Sequence, residues 1–222
     1  MELYTARVCP YAHRSRLALI EKGLEFEHIE IDLGNKSERF LEVSPYGKVP
    51  ALFHEGKTIY ESVIINEYLD EVFPDPPLMP ESYTFRAKAR IWTHYCNEYF
   101  SPDLYAVIRN REPGMHPELA AKAIERLRFV EAEAFGKLSG DGPYWFGAEV
   151  SLTDLAWYPY FERLPAWTHY RGVAIPEDCP RLKAWSEAMA ARHSVSQIAN
   201  DAAYYIDSYR GYAGEAMVAY PP

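Results

Sequence analysis

Cysteine and long apolar segments are both scarce in this chain, and their scarcity excludes several classes of protein. Only three of the 222 residues are cysteine. They lie at positions 9, 96 and 179, without the spacing of a disulfide framework or a zinc site. No window of about 18 uninterrupted apolar residues occurs, and the N-terminus has no basic, signal-like segment. We therefore expect a cytoplasmic protein with reduced thiols, no signal peptide and no membrane span.

Positive charge is scarce as well. Lysine and arginine number 23 against 32 aspartates and glutamates, which gives a formal net charge of −9. An acidic chain of this kind argues against nucleic acid and anionic membranes as partners. The seven histidines show no metal-ligand spacing, so no metal is expected. With 48% hydrophobic residues, the composition is that of a folded protein with one large domain or two modest ones.

Strand and helix signals alternate over residues 1–73, whereas helix signals dominate afterwards. The first pattern predicts β-α-β followed by α-β-β-α, with a mixed four-stranded sheet. The proline-rich segment "PDPPLMPES", residues 74–82, predicts a linker. Residues 83–222 are predicted to form a bundle of amphipathic helices. These predicted helices are Tyr83–Asn110, Pro117–Leu138, Ser151–Leu164, Pro180–Arg192 and Val195–Tyr209.

Cys9 stands where the first strand signal ends, in "RVCPYAHRSRLAL". Pro10 favours an extended residue before it and suits the first position of a helix, so Cys9 is predicted at the N-cap. The helix dipole and the free N–H groups of the first turn stabilise a thiolate there, and the basic residues that follow can add to this effect. A small buried hydrophobic residue is the alternative. Because Ala12 replaces the second cysteine of a Cys-x-x-Cys pair, an external thiol such as glutathione has to resolve any disulfide.

Two further segments suit the binding of an extended peptide such as glutathione. In the cis form, the Val49–Pro50 bond presents the backbone N–H and C=O of Val49 to a peptide. An ordinary trans bond at a sheet edge is the alternative. Glu61 and Ser62 precede an apolar helix signal. They fit either a receptor for the ammonium and carboxylate of a γ-glutamyl group or a simple N-cap formed by Ser62.

These features, in this order, resemble the cytosolic glutathione transferase superfamily over nearly the whole chain, and most of all its omega-type, cysteine-containing class. The resemblance implies an α/β thioredoxin-like domain that binds glutathione over residues 1–73. It also implies an all-α C-terminal domain with the acceptor-substrate pocket over residues 83–222, and a homodimer. The segments that carry it are "CPYAHRSRLAL", "NKSERFLEVSPYGKVPAL", "IYESVIINEYLDEVFP", "YPYFERL" and "PRLKAWSEAM".

The resemblance also implies roles for single residues. Cys9 is implied to be the catalytic residue that forms a mixed disulfide with glutathione. Arg163 matches an arginine of the acceptor pocket, and Tyr205 stands where family members can carry a tryptophan of that pocket. Tyr105 and Tyr158 are further candidates for its walls. The residues implied to bind glutathione are Tyr11, Lys36, Lys48, Val49, Pro50, Glu61 and Ser62.

These observations lead to one main prediction of function and two alternatives. The main prediction is a glutathione-dependent thiol transferase or reductase that uses the Cys9 thiolate in deglutathionylation, dehydroascorbate reduction or lyase cleavage of glutathione conjugates. One alternative is a non-catalytic scaffold of the stringent-starvation type. The segment "FPDPPLMP" of this chain resembles the linker of those proteins. The other is a conventional conjugating transferase, in which Tyr4 or Ser15 supplies a hydroxyl to the glutathione thiolate. The expected partners are small-molecule conjugates or disulfides, with glutathione as co-substrate.

Overall fold

The computed structural model describes residues 1–214, which form two compact units. The first unit contains Met1–Ala89 together with Val150–Pro159. The second contains Arg90–Glu149 together with the described residues from Tyr160 onwards. A segment that is remote in the sequence therefore completes the first unit. Within residues 1–214, no helix combines the length and the apolarity that a membrane crossing requires.

The first unit is built on a mixed four-stranded sheet, which confirms the predicted α/β class. Strand β1 (Glu2–Thr5) runs parallel to β2 (Glu27–Glu30) and antiparallel to β3 (Ala51–His54). Strand β4 (Lys57–Tyr60) pairs with β3 in an antiparallel hairpin, so the order is β2-β1-β3-β4. The helices of this unit that precede residue 74 are α1 (Pro10–Glu21), α2 (Glu38–Val43) and α3 (Ser62–Val72).

Strand β1 is shorter than the apolar run that begins at Leu3 suggests, because residues 6–9 form a turn. The N–H of Cys9 donates to the carbonyl oxygen of Ala6 over 3.0 Å. The N–H of Arg7 donates to the side-chain carboxylate of Glu30, at the end of β2, over 2.7 Å instead of to a backbone carbonyl of that strand. This turn delivers Cys9 to the start of α1, where the side chain packs against the buried cluster that contains Tyr4, Phe40 and Val49.

The elements after residue 82 are helical in the described part of the chain, as predicted. Two π-helical segments, Cys96–Phe100 and Glu131–Phe135, continue α4 and α6, and a short 3-10 turn covers Pro113–Met115. The α-helices are α4 (Tyr83–Tyr95), α5 (Ser101–Arg109), α6 (His116–Val130), α7 (Gly136–Leu138), α8 (Leu152–Glu162), α9 (Leu164–Arg171), α10 (Pro180–Ala190), α11 (His193–Ser196) and α12 (Ala202–Ala213).

The predicted continuous helix from Val195 to Tyr209 is wrong. Helix α11 ends at Ser196 and α12 begins at Ala202. Asp201 has an extended backbone, and its carboxylate accepts the N–H of Tyr204 over 2.7 Å. An aspartate that bonds to a backbone N–H of the following turn is a strong N-cap, so a new helix starts here although the apolar pattern runs on.

Hydrogen bonds among polar groups of the first unit hold the start of α8 in place. The buried carboxylate of Asp154 accepts the N–H of Ser151 over 2.8 Å and the Ser151 hydroxyl over 2.6 Å. The N–H of Leu152 donates to the carbonyl oxygen of Leu78 over 2.8 Å. This arrangement satisfies polar groups at a buried helix start, so we assign Asp154 a structural role.

Candidate functional site

Cys9 is the N-cap of α1, as the sequence predicts. Its backbone is extended (φ −75°, ψ 120°), and the N–H of Ala12 donates to Sγ over 3.5 Å. The thiol can also donate to the carbonyl oxygen of Val49, which lies 3.8 Å from Sγ. The side chain is partly exposed. The sulfur therefore faces a helix N-terminus, where free N–H groups favour negative charge, and it keeps access to solvent.

The loop before β3 brings Val49, Pro50 and Lys48 to the same end of the first unit as Cys9. The Val49–Pro50 bond is cis. The hydroxyl of Ser44 closes this loop, since it accepts the N–H of Lys48 over 3.0 Å and donates to the Lys48 carbonyl oxygen over 2.8 Å. The side chain of Lys48 remains exposed.

Lys36 lies beside this same loop. A Cβ placed on Gly47 would be 3.9 Å from Lys36 Nζ, so the ammonium group lies close to the backbone just before Val49. Gly47 itself has a φ of +58°, which an L side chain adopts only with strain. The exposed ammonium of Lys36 is thus available to an anionic group near Cys9 and Val49.

Glu61 and Ser62 form the start of α3, but Ser62 is not its N-cap. Glu61 occupies the cap position with a φ of +69°, and its side chain makes no capping hydrogen bond. A left-handed backbone at a residue other than glycine costs about 1–3 kcal/mol and occurs often at functional sites. The carboxylate of Glu61 is exposed, whereas Ser62 is the buried first residue of the helix. The simple capping alternative therefore does not describe this turn.

Arg14 connects two of the predicted glutathione-binding residues. Its Nη1 lies 3.5 Å from Ser62 Oγ, and its guanidinium carbon lies 4.9 Å from the ring centroid of Tyr11. Its Nε donates to the carbonyl oxygen of Ala156 over 2.8 Å. Sequence analysis did not predict these contacts. The available signal was the polar stretch of residues 13–16 within α1, since buried arginines need polar partners.

The predicted acceptor-pocket residues of the second unit are held in a buried polar network. Arg163 and Tyr205 are both fully buried, and the guanidinium carbon of Arg163 lies 4.7 Å from the Tyr205 ring centroid. The hydroxyl of Tyr205 donates to the Glu162 carboxylate. Burial raises the pKa of Tyr205, and Glu162 adds to this shift. In this structure Arg163 and Tyr205 offer no surface to a ligand.

The other two pocket candidates are placed differently. Tyr105 shares a hydrogen bond of 2.9 Å with Tyr209, and burial raises the pKa of Tyr105 well above its usual value. Its hydroxyl therefore stays protonated at neutral pH. Tyr158 lies on α8 in the residues that belong to the first unit, and it is buried there. Within residues 1–214, no group of three or more His, Cys, Asp or Glu side chains is arranged to hold a metal ion.

The three thiols are expected to differ strongly in reactivity. Burial raises the pKa of the Cys179 thiol to about 11, with Glu131 and Asp178 adding to the shift, so this group stays protonated at pH 8. Cys96 is fully buried, whereas Cys9 is partly exposed at a helix start. Brief alkylation with iodoacetamide at pH 8, followed by peptide mapping, should label Cys9 first. Labelling of Cys96 or Cys179 ahead of Cys9 in the folded protein would contradict this assignment.

Two family models match the chain and together cover more than half of it. The model "Glutathione S-transferase, N-terminal domain" matches residues 3–77, and "Glutathione S-transferase, C-terminal domain" matches residues 123–188. Glutathione S-transferase U19 of Arabidopsis thaliana is 34% identical over 192 residues, with 84% of each chain covered.

Solved structures agree with this match. The tau-class glutathione S-transferase of mango, Mangifera indica, superimposes with a TM-score of 0.89 at 27% identity and covers 96% of this chain and 98% of its own. Glutathione transferase Omega 3C of Trametes versicolor superimposes with a TM-score of 0.85 at 30% identity, over 95% of this chain and 89% of its own. The comparisons do not support the predicted omega-type class, because the plant relatives belong to the U and tau series. The chain belongs to the glutathione S-transferase family.

Proposed function

We propose that this protein transfers glutathione and that Cys9 is the group that meets the glutathione sulfur. The observation that supports this most directly is the position of Cys9 Sγ, at the start of α1 and 3.8 Å from the Val49 carbonyl oxygen. A tripeptide can pair its backbone with Val49 and place its own sulfur against that of Cys9. Lys36 and Lys48 are proposed to bind its carboxylate, and Glu61 with Ser62 its γ-glutamyl group.

The thiol itself supports disulfide exchange as one chemistry. The Cys9 thiolate attacks the glutathione sulfur of a mixed disulfide, the S–S bond breaks, and the substrate leaves as a thiolate that takes up a proton. The thiolate of a second glutathione then attacks the glutathione sulfur held on Cys9. This step releases the Cys9 thiolate and forms glutathione disulfide. A thioether alpha to a carbonyl reacts in the same way, with an enolate as the leaving group.

Conjugation is the second candidate chemistry, and the plant relatives, which are named as glutathione S-transferases, favour it. In this reaction glutathione is the nucleophile, and the protein stabilises its thiolate with a hydrogen-bond donor. The hydroxyls of Tyr4 and Ser15 are poor donors for this purpose. Both residues are buried, and Tyr4 donates to the Glu2 carboxylate over 2.6 Å. The donors proposed for a glutathione sulfur are therefore the thiol of Cys9 and the N–H groups at the start of α1.

A parallel turnover screen separates the two chemistries. The substrates are hydroxyethyl disulfide, dehydroascorbate, phenacyl-glutathione and chlorodinitrobenzene. Thiol exchange predicts turnover of one or more of the first three, and loss of that turnover on Cys9→Ser. Conjugation predicts turnover of chlorodinitrobenzene that survives the same substitution, since a hydroxyl can donate to the glutathione thiolate. Absence of turnover with all four substrates would refute the proposed function and favour a non-catalytic scaffold.

Lys36→Ala is expected to weaken glutathione binding without loss of the fold. A hydrogen bond to a charged group contributes about 1.5–3 kcal/mol, which corresponds to a loss of affinity of about tenfold to a hundredfold. Titration calorimetry with glutathione measures this loss. Lys57→Ala is the matched control, because Lys57 is also exposed but lies on β4. Equal affinities of Lys36→Ala and the wild type for glutathione would show that Lys36 is a solvated surface residue that does not bind it.

Four broader expectations remain proposals. Residues 1–73 are proposed to bind glutathione, with residues 74–82 as a linker. Residues 83–222 are proposed to carry the acceptor pocket, but Tyr158, Arg163 and Tyr205 are buried in this structure and are not proposed to line it. The protein is proposed to act as a homodimer. Its free cysteines suit a reducing compartment such as the cytoplasm.

A further inference from the structure

Arg16 lies on α1, two helical turns after Cys9, and only 3% of it is exposed. Helical side chains lean towards the N-terminus, so an arginine at this position can reach back to the loop that precedes the helix. Arg16 does so: Nη1 donates to Thr5 Oγ1 over 2.7 Å and to the Ala6 carbonyl oxygen over 3.1 Å. Its Nη2 donates to the Arg7 carbonyl oxygen over 3.3 Å.

One of these acceptors links Arg16 directly to the backbone of Cys9. The Ala6 carbonyl oxygen accepts both Arg16 Nη1 and the N–H of Cys9, the latter over 3.0 Å. The guanidinium therefore fixes the same carbonyl that orients the N-cap residue. The hydrogen bond from Arg16 to the Thr5 hydroxyl fixes the other end of the loop, where β1 ends. Because the guanidinium is planar and presents several donors in a fixed geometry, it holds these three acceptors in one arrangement.

We propose that Arg16 is a positioning residue for the Cys9 thiol. It holds residues 6–8 so that Cys9 Sγ faces the N–H of Ala12 at the start of α1, an inference that rests on the proposed function. The three acceptors belong to Thr5, Ala6 and Arg7, so the guanidinium holds three of the four residues that lead directly into Cys9. Arg16 itself does not touch glutathione in this proposal.

The test compares Arg16→Gln, Arg16→Lys and Thr5→Val with the wild type, all in the full chain. Arg16→Gln removes the charge and the planar set of N–H donors of the guanidinium. Arg16→Lys keeps only the charge, and Thr5→Val removes one hydrogen-bond acceptor. Arg39→Met is the matched control, since Arg39 is an exposed arginine of the same unit. Thermal unfolding first establishes the folded fraction. The rate constant of Cys9 alkylation by iodoacetamide is then measured, with kcat and KM for glutathione in hydroxyethyl disulfide reduction.

The rate constant of Cys9 alkylation and kcat should both fall about tenfold to a hundredfold in Arg16→Gln, because charge-assisted contacts and atomic placement are lost together. Smaller losses are expected in Arg16→Lys and Thr5→Val. The KM for glutathione should stay within about twofold of the wild type, since the contacts that bind the tripeptide are untouched. Arg39→Met should match the wild type in all three measurements.

A merely structural role for Arg16 gives a different pattern. It predicts a lower melting temperature, with Cys9 in the folded fraction alkylated at the wild-type rate. That result in Arg16→Gln would overturn the proposal. If Arg16→Gln does not fold, a wild-type rate in both Arg16→Lys and Thr5→Val overturns it as well. Alkylation does not require turnover, so an inactive wild type would refute the proposed function while the comparison of rate constants still tests Arg16.

Discussion

Cys9→Ala should reduce turnover of hydroxyethyl disulfide to the uncatalysed rate if the reaction runs through thiol exchange. Alanine cannot form the mixed disulfide, and the two other cysteines are buried. The stability of the variant should change little. Cys9 is partly exposed, and its sulfur accepts one long hydrogen bond of 3.5 Å from the N–H of Ala12. We expect the free energy of unfolding to fall by less than about 1 kcal/mol, which lies at the low end of the usual cost of losing an N-cap side chain.

Cys96→Ala is the control for this experiment. It removes a thiol that is fully buried, so it should lower stability while leaving turnover of the folded enzyme intact. The two variants therefore predict opposite outcomes in the two assays. Full turnover by Cys9→Ala would remove Cys9 from the reaction and leave conjugation as the remaining enzymatic candidate. Strong destabilisation by Cys9→Ala would identify Cys9 as a packing residue.

Lys22→Met should destabilise the protein by about 3–5 kcal/mol, the usual cost of removing one partner of a buried ion pair. The side chain of Lys22 is fully buried, and its Nζ lies 2.7 Å from Asp70 Oδ1. Nζ also donates to the carbonyl oxygens of Phe73 and Pro76, both over 2.7 Å. Methionine fills similar space but leaves the Asp70 carboxylate and two carbonyls without this donor. Urea unfolding followed by circular dichroism measures the loss.

The Asp70 carboxylate explains why the effect should be large. It also accepts the N–H of Leu78 over 2.7 Å and the N–H of Met79 over 3.2 Å. The pair thus ties the ends of α1 and α3 to the proline-rich segment that follows. Lys57→Met, at an exposed lysine, should change the free energy of unfolding by no more than about 0.5 kcal/mol. A loss below about 1 kcal/mol in Lys22→Met would show that Lys22 adds little net stability.

Local signals explain the parts of the site that the sequence predicted correctly. Pro10 restricts Cys9 to an extended backbone and starts α1, so the N-cap position of the thiol follows from two neighbouring residues. The strands and helices before residue 73 follow from short apolar periods and from the glycines and prolines between them. Asp201 was available as a local signal too, but the apolar pattern from Val195 onwards concealed the break between α11 and α12.

Contacts between remote residues could not be predicted in the same way. The bond from Arg14 to the Ala156 carbonyl oxygen joins positions 142 residues apart, and the contact between Arg14 and Ser62 spans 48 residues. Nothing in the neighbourhood of either partner specifies the other. The same holds for Arg163 and Tyr205, for which the resemblance implied a role in a pocket while the structure buries both.

The sequence by itself determined the alternation of strands and helices, the proline at the start of α1 and therefore a thiol at a helix N-terminus. These properties depend on backbone preferences that act over a few residues. Only the tertiary structure decided what surrounds that thiol. Its surroundings are the Val49 carbonyl oxygen, 40 residues away in the sequence, and the loop to which Arg16 donates hydrogen bonds. The physical reason is that buried polar groups take whichever partners the packed chain brings within hydrogen-bonding distance, and only packing determines which partners those are.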